Sequence, residues 1–469
     1  MAYRYDLLLK NGMVVDATTQ REGIMDLAVR DGQVVEVAPD LDPTQAKDVF
    51  DTAGLYVVPG IVDLHVHAST WLGGRFAHKM LALAGVTTAL DMSGPVDSVL
   101  DMARDCGVGL NLACIQYVRP GDTVADEDPG ERELQRLLDK CLAQGAIGLK
   151  ILGGHYPLTS DATTRAIAVA NRAKAYIAFH AGSKRTGSNL EGFLEAVALA
   201  QGQSLHIAHI NSYCRGLCRP YMAETEEAIA ALIANPKIRS ESYLSPVNGT
   251  SAKCSGGVPE SLVTQKCLAM GGFASSEAGM EEAILAGWAQ INVESGGQMI
   301  LATGPKAVAY WRQKATDTTV GFEVNPPEPR LRLVTAKRPS GSFVVDCIST
   351  DGGGIPRNVI VEMGLALVKL QALTMQEFVL KTSYNPARIL GLPNKGHFRE
   401  GADADITVLD LASQKVIMAI VNGQVIMHQG FVCGRGGRIV TTAAGAGYVR
   451  EKGLAPLVVD LAQSGFYQW

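Results

Sequence analysis

Val57 to Ser69 reads Val-Val-Pro-Gly-Ile-Val-Asp-Leu-His-Val-His-Ala-Ser, and the rest of the chain is organised around this stretch. A Pro-Gly turn opens an apolar run that ends in two histidines one residue apart, His65 and His67. Alternate residues of a strand share a face, so both imidazoles leave on one side and can converge on a single ion. Neutral imidazole is the commonest protein ligand for divalent transition metals. A buried strand with two histidines paired to carbonyls would carry the same residues. The later chain decides between the two.

Downstream, apolar runs alternate with helical segments, which argues for βαβ units and a parallel barrel. Strands are predicted over 61–67, 86–91, 109–116, 147–152, 175–180, 205–210, 238–243 and 343–350, and helices over 131–144, 160–174, 190–200 and 224–234. Both ends of the chain read differently. Residues 4–50 hold short strands with hairpin signals at Asn11-Gly12 and Asp31-Gly32, and residues 399–430 hold more strands with a third signal at Asn422-Gly423. Neither end can bury both its faces alone, so the two are expected to meet as one β-sandwich. The expected organisation is α/β, a TIM-like (β/α)8 barrel with that small sandwich. Its parts are a first sandwich portion (1–57), the barrel (58–398), a second sandwich portion (399–440) and a tail (441–469). Residues 255–342, with three Gly-Gly pairs and Pro326-Pro327, fit the alternation poorly and read as an insertion, a lid or an extra subdomain.

Composition narrows the class. The chain has 469 residues, 47% hydrophobic and 19% charged, with a net charge of −5, which describes a folded protein of ordinary surface. There is no dense Lys/Arg run, so nucleic acid and anionic membranes are not expected as partners. The nine cysteines are scattered without C-x-x-C spacing, and the first residues lack a signal-peptide pattern, so the expected setting is cytoplasmic.

Barrel enzymes keep their chemistry at the C-terminal ends of the strands. The candidates there are His65 and His67, then Lys150, His180, His209 and Asp351. That order, following "PGIVD", resembles the amidohydrolase superfamily over nearly the whole chain. The likeness is greatest to binuclear dihydroorotase- and hydantoinase-like metallohydrolases, with some features of N-acyl-D-amino-acid deacylases (D-aminoacylases). "EGADADI" followed by "VNGQVI" resembles the closing signature of the same superfamily.

The resemblance implies two divalent ions, expected to be zinc. One would be held by His65, His67, Lys150 and Asp351, the other by Lys150, His180 and His209. It also implies that Lys150, set in the apolar "AIGLKIL", carries a carbamate bridging the pair; an ordinary buried ion pair is the alternative. His206 and His209 are three apart and would point to opposite faces of a strand, and His209 is nearer the strand's end. Asp351 closes "VVDCISTD" and would act as general base toward a metal-bound hydroxide. His155 and Tyr156 compete as donor to the oxyanion. Lys184, Arg185, Asn211, Tyr213, Arg215, Tyr243 and Asn248 are candidate substrate contacts, the arginines suiting a carboxylate or imide.

The expected reaction is hydrolysis of an amide C–N bond in a small molecule. A cyclic amide (hydantoin, dihydropyrimidine or lactam type) stands ahead of an N-acyl-(D-)amino acid. Ring deamination fits less well, because such relatives usually lack the strand-four lysine. A non-catalytic dihydropyrimidinase-like scaffold is disfavoured by six filled ligand positions. Ser69 stands where dihydroorotases carry an arginine, which disfavours true dihydroorotase activity. A homo-oligomer is expected.

Overall fold

The computed structural model describes residues 3–70, 74–92 and 94–468. Eight strand positions form the central ring: Ile61–His67, Val86–Asp91, Val108–Cys114, Gly148–Leu152, Tyr176–His180, Leu205–Ile207, Ile238–Tyr243 and Cys347–Ser349. Three of these match the expected bounds at both ends, and the others shift by a few residues. All neighbouring pairs run parallel. Hydrogen bonding divides the ring into two sheets, and two strands cross between them. The third continues past Ile115 as Gln116–Val118, which pairs with Gly148–Leu152. The eighth continues past Asp351 as Gly352–Gly353, which pairs with Ile61–His67. The barrel core is the aliphatic set that buried parallel strands require, and it includes Val66, Leu90, Leu112, Ile151, Ile177 and Ile348.

The two ends of the chain meet where Tyr56–Pro59 pairs antiparallel with Ile406–Asp410. They share a nine-stranded sheet. Register shifts at Leu9/Gly12, Ala28/Val29, Val408/Leu409 and Ala419/Ile420 interrupt its ladders. A core of Leu7, Leu27, Val57, Ile406, Val408 and Ile420 draws on both ends of the chain, as the sandwich expectation requires. Two of the three hairpin signals are hairpins. Asn11-Gly12 is not: it lies inside the single long strand Tyr5–Asp16 as a bulge, with Asn11 at φ 61° and its N–H donating to Asp26 Oδ1 at 2.8 Å.

The insertion begins earlier than expected, at Val247–Ser251. This strand pairs with Thr319–Glu323 in a four-stranded antiparallel sheet completed by Ala289–Ser295 and Gln298–Ala302. It has its own core around Trp311, Phe322, Met280 and Ile284, which makes it a subdomain and not a loose lid. Gly436–Thr441 leaves the sandwich and pairs parallel with barrel strand Val108–Cys114, then with Ala455–Val458. Beyond it, Phe466 stacks on Tyr176 at 4.5 Å.

Barrel and sandwich are joined by a buried polar cluster. Lys395 Nζ lies 2.6 Å from Asp405 Oδ2 and 2.8 Å from Asp403 Oδ2. Asn111 of the third barrel strand donates to the same Asp405 oxygen at 2.8 Å. Removing one partner of a buried pair costs roughly 3–5 kcal/mol, because the other charge is left uncompensated. Lys395→Met should therefore lower the melting temperature markedly, read by calorimetry. An unchanged melting temperature would show that the cluster does not couple the two parts.

Candidate active site

The first strand carries its two histidines on one face, as a two-residue period demands. His65 Nε2 and His67 Nε2 lie 3.2 and 2.9 Å from Asp351 Oδ1. The three ligand atoms are within 4.8 Å of one another, a spacing that can hold a metal ion. His65 Nδ1 meets Glu241 Oε1 at 2.8 Å, which leaves Nε2 free to coordinate. The sixth strand ends at Ile207, so its face does not aim His209. A left-handed turn at His209 (φ 39°) does so instead, ahead of the short helix Ile210–Tyr213. Its Nε2 comes 3.0 Å from His180 Nδ1, while its Nδ1 is buried without a partner. His206 is buried elsewhere, its Nδ1 2.7 Å from Tyr176 Oη.

Burial pushes the His65, His180 and His209 imidazoles below their ordinary range, which keeps them neutral, as ligands must be. Burial also lowers Lys150 to about 8, and its amine sits 3.1 Å from Met92 Sδ. Asp351 follows a different balance. Burial would raise it, but the Arg357 guanidinium, His65 and the His67 hydrogen bond outweigh this and hold it well below the usual carboxylate range. Arg357 Nη2 is 2.8 Å from Asp351 Oδ2, so one carboxylate oxygen faces the arginine and the other faces the histidines. Gly154 is needed where it stands, because a Cβ there would lie 2.1 Å from His180 Nε2.

One cavity brings together His65, His67, Lys150, His180, His209 and Asp351, with His155, Tyr156 and Asn248 on its walls. The remaining expected substrate contacts do not line it. Lys184 and Arg185 point outward and are paired with Glu127 and Glu195. Tyr213 is behind the histidines, its hydroxyl accepting from the Ala181 N–H at 2.8 Å. Asn211 accepts from the Tyr243 N–H at 3.1 Å, and Tyr243 Oη meets Ser212 Oγ at 3.1 Å. Arg215 binds Asn325 and Asn248 at 2.8 and 2.9 Å and belongs to the seam between barrel and insertion.

Sequence reasoning passed over several residues of the site. Glu241 is fully buried on the seventh strand, where a glutamate amid "IRSESY" was the available signal. It accepts from the His209 N–H at 2.6 Å and from Ser349 Oγ. Burial would raise its carboxyl, but His65, His206 and His209 outweigh that and hold it at about 2. Met92, Arg357, Thr250, Ser251, Glu260 and Ser261 also line the cavity. The insertion residues among them could not be placed without the fold.

Residues 336–434 match the amidohydrolase family model. An allantoinase of Deinococcus radiodurans is 27% identical over 440 residues, covering 87% of each chain. Among solved structures, the N-acyl-D-glutamate deacylase of Bordetella bronchiseptica, complexed with zinc, superposes with a TM-score of 0.66 at 15% identity, over 93% of this chain and 99% of that one. The dihydropyrimidinase of Brevibacillus agri gives 0.62 at 17% identity, over 94% and 99%. The chain is thus similar to amidohydrolases: residues 336–434 match their family model, and its barrel-and-sandwich fold is shared with the deacylase and dihydropyrimidinase structures.

Proposed function

We propose that the chain is a metal-dependent amidohydrolase that cleaves the amide C–N bond of a small cyclic amide of the hydantoin, dihydropyrimidine or lactam type. The observation that carries this is the convergence of four imidazoles, an ionised aspartate and a buried lysine on one cavity. Relatives named allantoinase and dihydroorotase and neighbours named dihydropyrimidinase and D-hydantoinase support it. N-acyl-(D-)amino-acid deacylation is the second reading, favoured by the D-aminoacylase and N-acyl-D-glutamate deacylase likenesses. The cavity's charges favour a neutral ring. Among the described residues its lysine and arginine lining is Lys150 and Arg357, and Arg357 is already committed to Asp351. All nine cysteines are free, in keeping with a cytoplasmic setting.

His65, His67 and Asp351 would hold one ion and His180 with His209 a second, with Lys150 beside both; zinc suits this nitrogen and carboxylate set. Bound there, the ions would polarise the scissile carbonyl and make a water acidic enough to attack near neutral pH. Lys150 is expected to react with CO2 through its neutral amine, forming an N–C bond and releasing a proton, and the resulting carbamate would add oxygen donors to the set that would hold the ions. Glu241 fixes the His65 ring through Nδ1. Asp351 Oδ1 takes the proton of the attacking water and passes it to the leaving nitrogen, while Arg357 holds Oδ2 and so the carboxylate plane. Purified protein should contain close to two metal ions per chain and hydrolyse at least one hydantoin, dihydropyrimidine or lactam. A metal-free protein inactive on these and on N-acyl amino acids would reject the proposal.

Three variants resolve the parts. His209→Asn should lose one metal by elemental analysis, whereas His206→Asn keeps both and most of its turnover; the reverse would exchange their roles. Lys150→Ala should abolish activity and lower metal content, with partial recovery in short carboxylic acids. An unmodified amine in active, metal-loaded protein would defeat the carbamate.

Asp351→Asn should lower kcat on the order of 10²–10⁴-fold, the usual loss for a general base, while metal largely remains. Because the folded pKa of Asp351 is depressed, the base stays ionised as pH falls through the ordinary carboxylate range. An acidic limb of kcat/KM nearer neutrality must then report the coupled site and not this carboxylate alone. Near-normal kcat in Asp351→Asn would assign the proton to another group.

A further inference from the structure

The insertion closes one side of the cavity with hydroxyl groups whose proton directions can be counted. Thr264 Oγ1 donates to the Ser251 carbonyl at 2.6 Å, an acceptor with no proton to return. Thr250 Oγ1 lies 3.1 Å from Thr264 Oγ1. Since a hydroxyl has one proton and Thr264 has spent its own, Thr250 is the donor. Thr250 Oγ1 in turn lies 2.9 Å from Ser261 Oγ, and the same count makes Ser261 the donor there. Ser261 caps the helix Leu262–Met270 by accepting from the Thr264 N–H at 3.4 Å. One lone pair of Ser261 is left, and His155 Nδ1 faces it at 3.4 Å. His155 must therefore carry its proton on Nδ1. In the neutral ring Nε2 is then a bare lone pair, on a residue that lines the cavity with its ring centroid 4.8 Å from that of His180.

We propose that the relay Ser251–Thr264–Thr250–Ser261 locks His155 in the Nδ1–H tautomer, so that Nε2 accepts a hydrogen bond from a ring N–H of the substrate and selects rings with an unsubstituted amide or imide nitrogen. His155 is then a specificity-determining acceptor and not the oxyanion donor, a role left to Tyr156 on the same wall. Thr264, Thr250 and Ser261 are positioning residues that act through it. The substrate half of the proposal rests on the ring-amide reading above; the tautomer half does not.

The decisive substitution is Thr264→Val, close in shape and made at a residue that does not line the cavity. Without the Thr264 hydroxyl, the Thr250 and Ser261 protons can reverse, Ser261 donates to Nδ1, and His155 shifts to the Nε2–H form. Proton–nitrogen correlation spectra of ¹⁵N-histidine-labelled, zinc-loaded protein read this directly, with His155 assigned by its loss in His155→Gln. The expected result is Nδ1–H in wild type and in Thr264→Ser, and Nε2–H in Thr264→Val. In Thr264→Val, KM for an unsubstituted ring should rise roughly 3–10-fold, the value of one hydrogen bond, with kcat little changed. Wild type should discriminate against the N-methylated ring, and the variant should lose that discrimination. An Nε2–H tautomer in wild type, or a spectrum unmoved by Thr264→Val, would overturn the relay. If no ring amide is turned over, the substrate assignment falls, and the spectrum still decides the relay by itself.

Discussion

The active end of the barrel depends on the Glu241 carboxylate. It rises from the seventh strand and receives the His65 imidazole from the first, the His209 N–H from the turn after the sixth and the Ser349 hydroxyl from the eighth. An ionised carboxylate taken out of water costs several kcal/mol unless it is paired and hydrogen-bonded, so four strand ends are held in one arrangement or the charge is left exposed to that penalty. Asp63 repeats the device one layer away. Its carboxylate accepts from Thr350 Oγ1 at 2.6 Å and from the His65 N–H at 3.1 Å, joining the eighth strand to the first. Burial raises this second carboxyl to about 7 against the pull of those donors.

Two strained residues stand where those strands end. His209 and Asp351 both adopt positive φ, 39° and 50°, which costs a residue with a Cβ on the order of 1–3 kcal/mol. Each is over-determined by neighbours. Glu241 binds the His209 N–H, and Arg357 binds both the main-chain oxygen and the carboxylate of Asp351. Gly353 must follow closely, because a Cβ there would lie 2.3 Å from the His67 carbonyl oxygen. The aspartate can thus face two histidines only because the chain beyond it is bare enough to pass the first strand.

Much of this was legible from the sequence. Two-residue periodicity places His65 and His67, the fourth strand places Lys150, the end of the fifth places His180, and the glycines after Asp351 mark a close approach. These signals are local, and local geometry honours them. His209 lies near the expected end of its strand, but the left-handed turn that aims it is not visible in a strand count. Glu241 was illegible for a related reason: its partners come from three other strands, so its importance is tertiary. Lys184, Arg185 and Arg215 misled because a basic residue after a barrel strand looks alike whether it meets a ligand or a glutamate. Only the fold shows Glu127 and Glu195 already in place. Asn11-Gly12 erred similarly, since the positive φ that makes a hairpin also makes a bulge when Asp26 is there to take the free N–H.

Arg215 shows how the insertion is tied to the chemistry. The subdomain has its own core and could fold around Trp311 and Phe322 with little help from the barrel. A wall built that way would sit loosely over the cavity. Arg215, on the loop after the sixth strand, removes that freedom by binding Asn325 and Asn248 of the insertion together with Ser212 and Tyr243 of the barrel. Asn248 lines the cavity, and Thr250 follows it on the same strand, so the guanidinium fixes that strand's height above His180 and His209. A planar group with five donors can satisfy such a seam, whereas a lysine could not span it. The barrel thereby supplies the candidate ligands, the insertion supplies the hydroxyl wall, and one half-buried arginine outside the cavity lining spans the seam between them.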